Sequence, residues 1–408
     1  MADFMNRILS GCASLLVVLS LAAPAFGQFG GNGPFGGADG PQVNRAQLET
    51  YAELLDLDAT QRDVATMMLE EYIASVQTQT DELREAGRQA RQEFEETRDR
   101  SAFQDLREVR ERTSERLAEL ESRFMEDLKL LLTPEQESSW PRVEMAHRRA
   151  TSLPRGLMSG ERVDLFEIVK GLDLQGEAAN EAQAVLTDYA LTLDQALIAR
   201  NEMYEQGLEM IQNRDFEALQ SHFEDAREAS IRVRDTHTSF ARRLEAVIPQ
   251  ESLPMLESAI RQASFPTVYR STQAERALEM AKGLESLSED QRSRIEAIAL
   301  ATDRRMTEVN RKLADEIESN ETSMTLRDMM GRGRGGRGVE DGTRELFREK
   351  RDIVDQTLDQ IRSVLTEEQA ASLEEAIGSE QQDQDRAGPR SRREMRGAER
   401  GQRRQGEL

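Results

Sequence analysis

Between about Asn44 and Gly378 the apolar residues fall at spacings of three and four, with few helix breakers. Leu106, Val109, Thr113, Leu117, Leu120, Phe124, Leu128 and Leu131 make one mainly apolar stripe with steps of 3, 4, 4, 3, 4, 4 and 3. Such a stripe predicts a long helix of coiled-coil character. Val64, Met68, Tyr72 and Val76 recur at steps of four just upstream, so two long helices are expected to pair as an antiparallel hairpin. Phe347, Val354, Leu358, Ile361 and Leu365 repeat the stripe later in the chain. A helix of about 40 residues would be about 60 Å long, which predicts elongated all-α units.

Two interruptions, each containing a Pro, fall at Thr151 to Gly160 and at Ala263 to Arg270. They divide the helical stretch into three blocks that are versions of one unit. Leu57-Asp58-Ala59-Thr60-Gln61 opens a long helix in the first block and Leu287-Ser288-Glu289-Asp290-Gln291 in the third; the second has Leu174-Gln175-Gly176-Glu177-Ala178. A further copy ends each block: Leu132-Thr133-Pro134-Glu135-Gln136, Ile248-Pro249-Gln250-Glu251-Ser252 and Leu365-Thr366-Glu367-Glu368-Gln369. The paired motifs end 75, 74 and 78 residues apart, a regularity that chance does not supply. The expected organisation is three tandem antiparallel helical hairpins, at 44–150, 160–262 and 271–379.

The motif has an immediate physical use. Thr133 with Gln136 is a capping box: the hydroxyl accepts from an early backbone N–H while the amide reaches back to the start of the helix. Pro134 stands at the first helical position, where its missing N–H costs nothing. Thr366 with Gln369, Ser288 with Gln291 and Asp58 with Gln61 make similar starts, and loss of such a cap typically costs about 1 kcal/mol.

Paired Leu-Thr-x-x-Gln motifs that open and close a long hairpin, in a mostly polar helical chain, resemble the Spy/CpxP family of periplasmic proteins. Leu132 to Gln136 and Leu365 to Gln369 match the motif literally, and Leu57 to Gln61 and Leu287 to Gln291 match with Asp or Ser for Thr. The second block departs at both ends, with Ala178 and Ser252 where Gln would stand. The resemblance implies all-α, cradle-like units with apolar patches ringed by charge. It also implies a role as an ATP-independent chaperone, a restraint on an envelope-stress sensor, or a response to metals such as zinc. Chaperone members tend to be basic on the concave face, whereas this chain is acidic.

Composition narrows the class of function. The 408 residues carry 77 acidic and 54 basic side chains, a net charge of −23, with 32% charged and only 5% aromatic residues. That balance disfavours a sheet-rich enzyme, and it argues against nucleic acid as a partner because phosphates require a neutralising basic surface. No Ser-His-Asp order, nucleophile elbow or phosphate loop stands out, and no catalytic residue is assigned.

Residues 1–27 read as a cleaved signal peptide: Arg7 precedes the apolar run Leu15 to Leu21, and Ala23-Pro24-Ala25 or Ala25-Phe26-Gly27 offers small residues for cleavage. Leu9-Ser10-Gly11-Cys12 has the letters of a lipoprotein box, but the apolar run follows the cysteine, so lipidation is not expected. Cys12 is the one cysteine, leaving the mature chain without disulfides. Residues 28–43 form a Gly-rich linker, and no later stretch approaches the roughly 20 apolar residues that span a bilayer. A periplasmic or secreted location follows as the expectation.

Met67, Met68, Met329 and Met330 are the candidate client-binding residues, because methionine surfaces adapt to varied partners. Met125, Met203, Met210, Met306 and Met324 are expected mainly to pack within hairpins. His147, His222 and His237 lack the spacing of a zinc site, and His237 falls on the stripe between Val233 and Phe240, where a packed histidine is expected. No metal or other cofactor is assigned. Asp383, Asp385, Gly388 and Glu394 imitate a calcium loop, but Ala387 and the interior arginines spoil it. Gly331 to Gly338 reads as a hairpin-tip loop, and 380–408 as a disordered Arg-rich tail suited to peripheral envelope contact. The resulting expectation is an exported holder of unfolded or aggregation-prone envelope proteins. The alternative is a structural or regulatory coiled-coil adaptor that docks one envelope partner such as a stress sensor.

Overall fold

The computed structural model describes residues 42–377 apart from 100, 214, 327, 329–340 and 376. Within them the chain is all-α, and no strand occurs among the described residues. The signal segment, most of the Gly-rich linker, Met329, Met330, the Gly-Arg loop and the Arg-rich tail lie outside the described residues.

A short helix α1 (Arg45–Leu54) leads into α2 (Ala59–Thr97) and α3 (Ala102–Leu130). Helix α2 begins at Asp58 with a complete capping box and ends at Arg98, whose left-handed backbone (φ 56°) lets its N–H return to Phe94. Phe94 and Phe103 meet across this tip at 5.3 Å, while Tyr72 and Phe124 pair at 5.2 Å nearer the base, so α2 and α3 are antiparallel. Their buried stripe includes Ala65, Leu69, Tyr72 and Val76 against Phe124 and Leu128. Two further helices, α4 (Pro134–Glu137) and α5 (Trp140–Ser152), fold back so that Trp140, Val143 and Ala146 close the same core.

The second hairpin comprises α6 (Leu165–Lys170), α7 (Gly176–Gln212), α8 (Phe216–Glu245) and α9 (Leu253–Ser264). Tyr189 of α7 packs on Phe240 of α8 at 5.5 Å, the same aromatic layer as Tyr72 and Phe124. After α10 (Pro266–Tyr269) come α11 (Gln273–Lys282), α12 (Glu289–Thr322), α13 (Asp341–Val364) and a closing helical segment, 367–375. In this third hairpin the corresponding layer is a buried hydroxyl pair, Thr302 and Thr357, at 2.9 Å. One layer nearer the base the pattern is apolar throughout: Ala65 with Leu128, Ala182 with Leu244, and Ile295 with Ile361 are all buried.

The described chain divides into two compact units. Among the described residues the first runs to Ser264 and takes in 321–328, and the second takes in 265–320 and 341–377. The first and second hairpins share a unit because the interruption at 151–160 is packed, with Ser152, Leu153 and Met158 all buried. Helix α5 crosses from one core to the other. Its first half lies in the first cluster, while Arg148 pairs with Asp194 and Arg149 Nε donates to Asp164 at 3.0 Å in the second hairpin.

Candidate functional site

The motif glutamines come together in pairs. Gln61 Nε2 donates to Gln136 Oε1 at 2.8 Å, and Gln136 Nε2 donates back to Gln61 Oε1 at 3.0 Å. Each amide also donates to the backbone carbonyl just before the opposite motif, Gln61 to Leu131 at 2.8 Å and Gln136 to Asp56 at 3.0 Å. Each Oε1 in turn accepts the N–H of its own capping residue, Asp58 or Thr133, at 3.0 Å. One side chain therefore caps its helix and fastens the two ends of the hairpin. Asp56 presents its carbonyl from a left-handed turn (φ 50°), a conformation that Asp tolerates better than most residues.

The third hairpin repeats this clasp. Gln291 donates to Gln369 Oε1 at 2.8 Å and to the Val364 carbonyl at 2.9 Å, and Gln369 reaches the Ser286 carbonyl at 2.9 Å. Ser288 and Thr366 complete the capping boxes. Leu57 and Leu287 are buried beneath the clasps, and Leu132 and Leu365 are half-buried against the same cores. In the second hairpin, Ala178 and Ser252 occupy the glutamine positions, and Gln175 turns its amide to Asp173.

The second hairpin is instead tied by a buried polar network. Arg200 and Glu161 are both fully buried and pair at 3.1 Å; Glu161 also accepts from Met158 N at 2.6 Å, and Arg200 donates to the Ser152 carbonyl at 2.6 Å. His237 Nε2 donates to the Glu161 carbonyl at 3.1 Å, which leaves Nδ1 to accept from the Tyr189 hydroxyl at 2.8 Å. Burial, with Arg200 nearby, pushes the His237 pKa down to about 4, so the ring is neutral near pH 7. His147 makes a similar chain, between Tyr51 at 2.9 Å and Glu121 at 2.8 Å, and His222 Nε2 donates to the Met203 carbonyl at 2.6 Å. All three histidines are thus engaged in packing. Among the described residues no three His, Cys, Asp or Glu side chains converge as metal ligands, and no helix is long and apolar enough to cross a membrane.

Of the candidate client-binding methionines, Met67 is 66% exposed on α2, whereas Met68 packs against the first core. Met306 and Met324 are buried. Leu191 of α7 and Leu300 of α12 are, like Met67, exposed on the first long helix of their hairpins.

One apolar opening was not anticipated from the sequence. A cleft of about 180 Å³ lies at the foot of the third hairpin, walled by Leu358 and Ile361 of α13 and by Ala370, Leu373 and Ile377. Gln273, Arg362 and Glu374 form its edge. Counting from the clasp glutamines, Leu373 holds the place that Trp140 holds in the first hairpin, where the buried indole donates to Glu144 at 2.9 Å and lies under the Lys129 ammonium. Leu256 holds it in the second hairpin and is fully buried.

No protein-family model matches this chain, and no curated protein or solved structure matches it.

Proposed function

We propose that this chain is an exported, ATP-independent binding protein that holds unfolded or aggregation-prone envelope proteins, working by binding and not by catalysis. The observation that carries the reading is the reciprocal pairing of Gln61 with Gln136 and of Gln291 with Gln369. The pairing gives the recurring Leu-Thr-x-x-Gln motif a common task in two hairpins, and so supports the likeness to the Spy/CpxP proteins. The surface suits holding. Met67 stands among Asp63, Glu70 and Glu71, and Leu300 among Glu296, Asp303 and Arg304, so small apolar points sit in strongly hydrated surroundings. Contacts of that kind are weak singly and add across a flexible client.

A second reading, a coiled-coil adaptor for one envelope partner such as a stress sensor, is favoured by the burial of the apolar stripes. Leu69, Tyr72, Val76, Phe124 and Leu128 are spent on packing within the chain. Light scattering from several unrelated denatured proteins diluted into the purified chain without ATP separates the two. Suppression of aggregation for most clients supports holding. No effect at several-fold excess, together with one saturable partner, supports the adaptor.

A further inference from the structure

We infer that the cleft at the foot of the third hairpin is a docking site for one large apolar side chain carried by a basic, unfolded client segment, an inference that rests on the holding reading above. The walls are carbon: Leu358, Ile361, Ala370, Leu373 and Ile377. Its volume of about 180 Å³ is sufficient for a Leu or Phe side chain. For scale, a cavity of about 150 Å³ lined by such residues binds benzene.

The first hairpin fills this place with Trp140, whereas the third supplies only Leu373, and Ala370 next to it adds one methyl group.

Charge selects the occupant. At the edge of the cleft Arg362 is engaged by Asp359 at 3.6 Å and by Glu374 at 3.3 Å, two carboxylates to one guanidinium, so that edge carries a negative surplus. An apolar side chain flanked by Lys or Arg satisfies both the hole and its edge, whereas one flanked by carboxylates is repelled. Gln273 adds an exposed amide that can pair with the backbone of an extended segment.

The test uses the full chain and two fluorescein-labelled peptides, each with one central Phe, one flanked by Lys and the other by Glu. Fluorescence anisotropy should show the Lys-flanked peptide binding at least about ten-fold tighter than the Glu-flanked one, with the difference shrinking as salt rises. Leu373→Trp, which restores the residue of the first hairpin, should weaken binding at least about ten-fold, and Ala370→Leu should weaken it too. Circular dichroism melts identify a variant that has lost its fold, and the other variant then decides. Equal binding of both peptides, no binding of the Lys-flanked peptide, or undiminished binding by a folded cleft-filling variant would overturn the assignment. So would a dimer in sedimentation velocity that Leu373→Trp dissolves, since a second copy would then be the occupant. Light scattering is run on the same proteins. Suppression of aggregation that Leu373→Trp leaves unchanged removes the cleft but keeps the holding reading, whereas peptide binding without any suppression keeps the cleft and removes the holding reading.

Discussion

Gln61 and Gln136, 75 residues apart in the chain, exchange hydrogen bonds through both ends of their side-chain amides. Because each oxygen also caps a helix and each nitrogen also reaches the carbonyl just before the other motif, neither side chain can be replaced without stranding groups on the other. Gln61→Ala and Gln136→Ala should each destabilise the first hairpin by roughly 2 kcal/mol, combining a lost cap with partners left unpaired. The double variant should cost less than the two singles together by about 1 kcal/mol, the mark of direct coupling. Trp140 is the single tryptophan and sits beside the clasp, so urea unfolding followed by its fluorescence measures all three. Strict additivity would show that the two amides act independently.

The hairpin stripes, the motif positions and the packed His237 were all legible in the sequence, because each follows from helical periodicity or from a cap that spans only three residues. The partner of each glutamine was not, since local capping already explains Gln61 and Gln136 without joining them. The pair Glu161 and Arg200 was hidden for a different reason: single charges in a chain with 32% charged residues carry no sign of burial. The stretch 151–160 reads in sequence as an interruption of the helical pattern; Leu153 and Met158 are buried there, and the two hairpins it connects lie in one unit.

Arg200 and Glu161 lie at 0% exposure, so breaking the pair leaves a charge with nowhere to go. Arg200→Met alone should destabilise the first unit by about 3–5 kcal/mol, because the Glu161 carboxylate loses its counter-ion while still buried. Arg200→Met with Glu161→Gln should recover much of that loss, since a neutral amide keeps an acceptor for Met158 N without the charge. Thermal melts of both variants check the order. A double variant no more stable than Arg200→Met would show that the charge is not the source of the cost.

The neutral His237 predicts a pH dependence. Its folded pKa is held down to about 4, against about 6.5 in an unfolded chain. Between those values the unfolded chain binds more protons, so stability is fully present above about pH 6.5 and is lost as pH falls towards 4, by about 3 kcal/mol in all. His237→Phe, which cannot titrate, should start less stable because the Tyr189 hydroxyl loses its nearer acceptor and keeps only the Val163 carbonyl at 3.4 Å. It should also show a flatter profile than the unsubstituted chain across that window. Urea midpoints measured from pH 7 to pH 4 provide the comparison, and parallel profiles would exclude His237 as the cause.

Where the first two hairpins place Tyr against Phe, the third places Thr302 against Thr357, and the bonding directions can be assigned. The Thr357 hydroxyl donates to the Ile353 carbonyl at 2.8 Å, so its oxygen must accept the proton of Thr302. Thr302→Val then removes only a donor, and Thr357 keeps its bond to Ile353; the cost should be about 1 kcal/mol. Thr357→Val strands the buried Thr302 donor unless it turns to its own helix, and should cost more, about 1–3 kcal/mol. Replacing both with Val removes donor and acceptor together at nearly constant shape, and should fall within about 1 kcal/mol of the unsubstituted chain. Equilibrium unfolding of the three variants tests this ranking. If the double variant is the least stable, the hydroxyl pair holds the third hairpin together as the aromatic layer holds the others; if it is close to the unsubstituted chain, the pair fixes which residues face each other and adds little to stability.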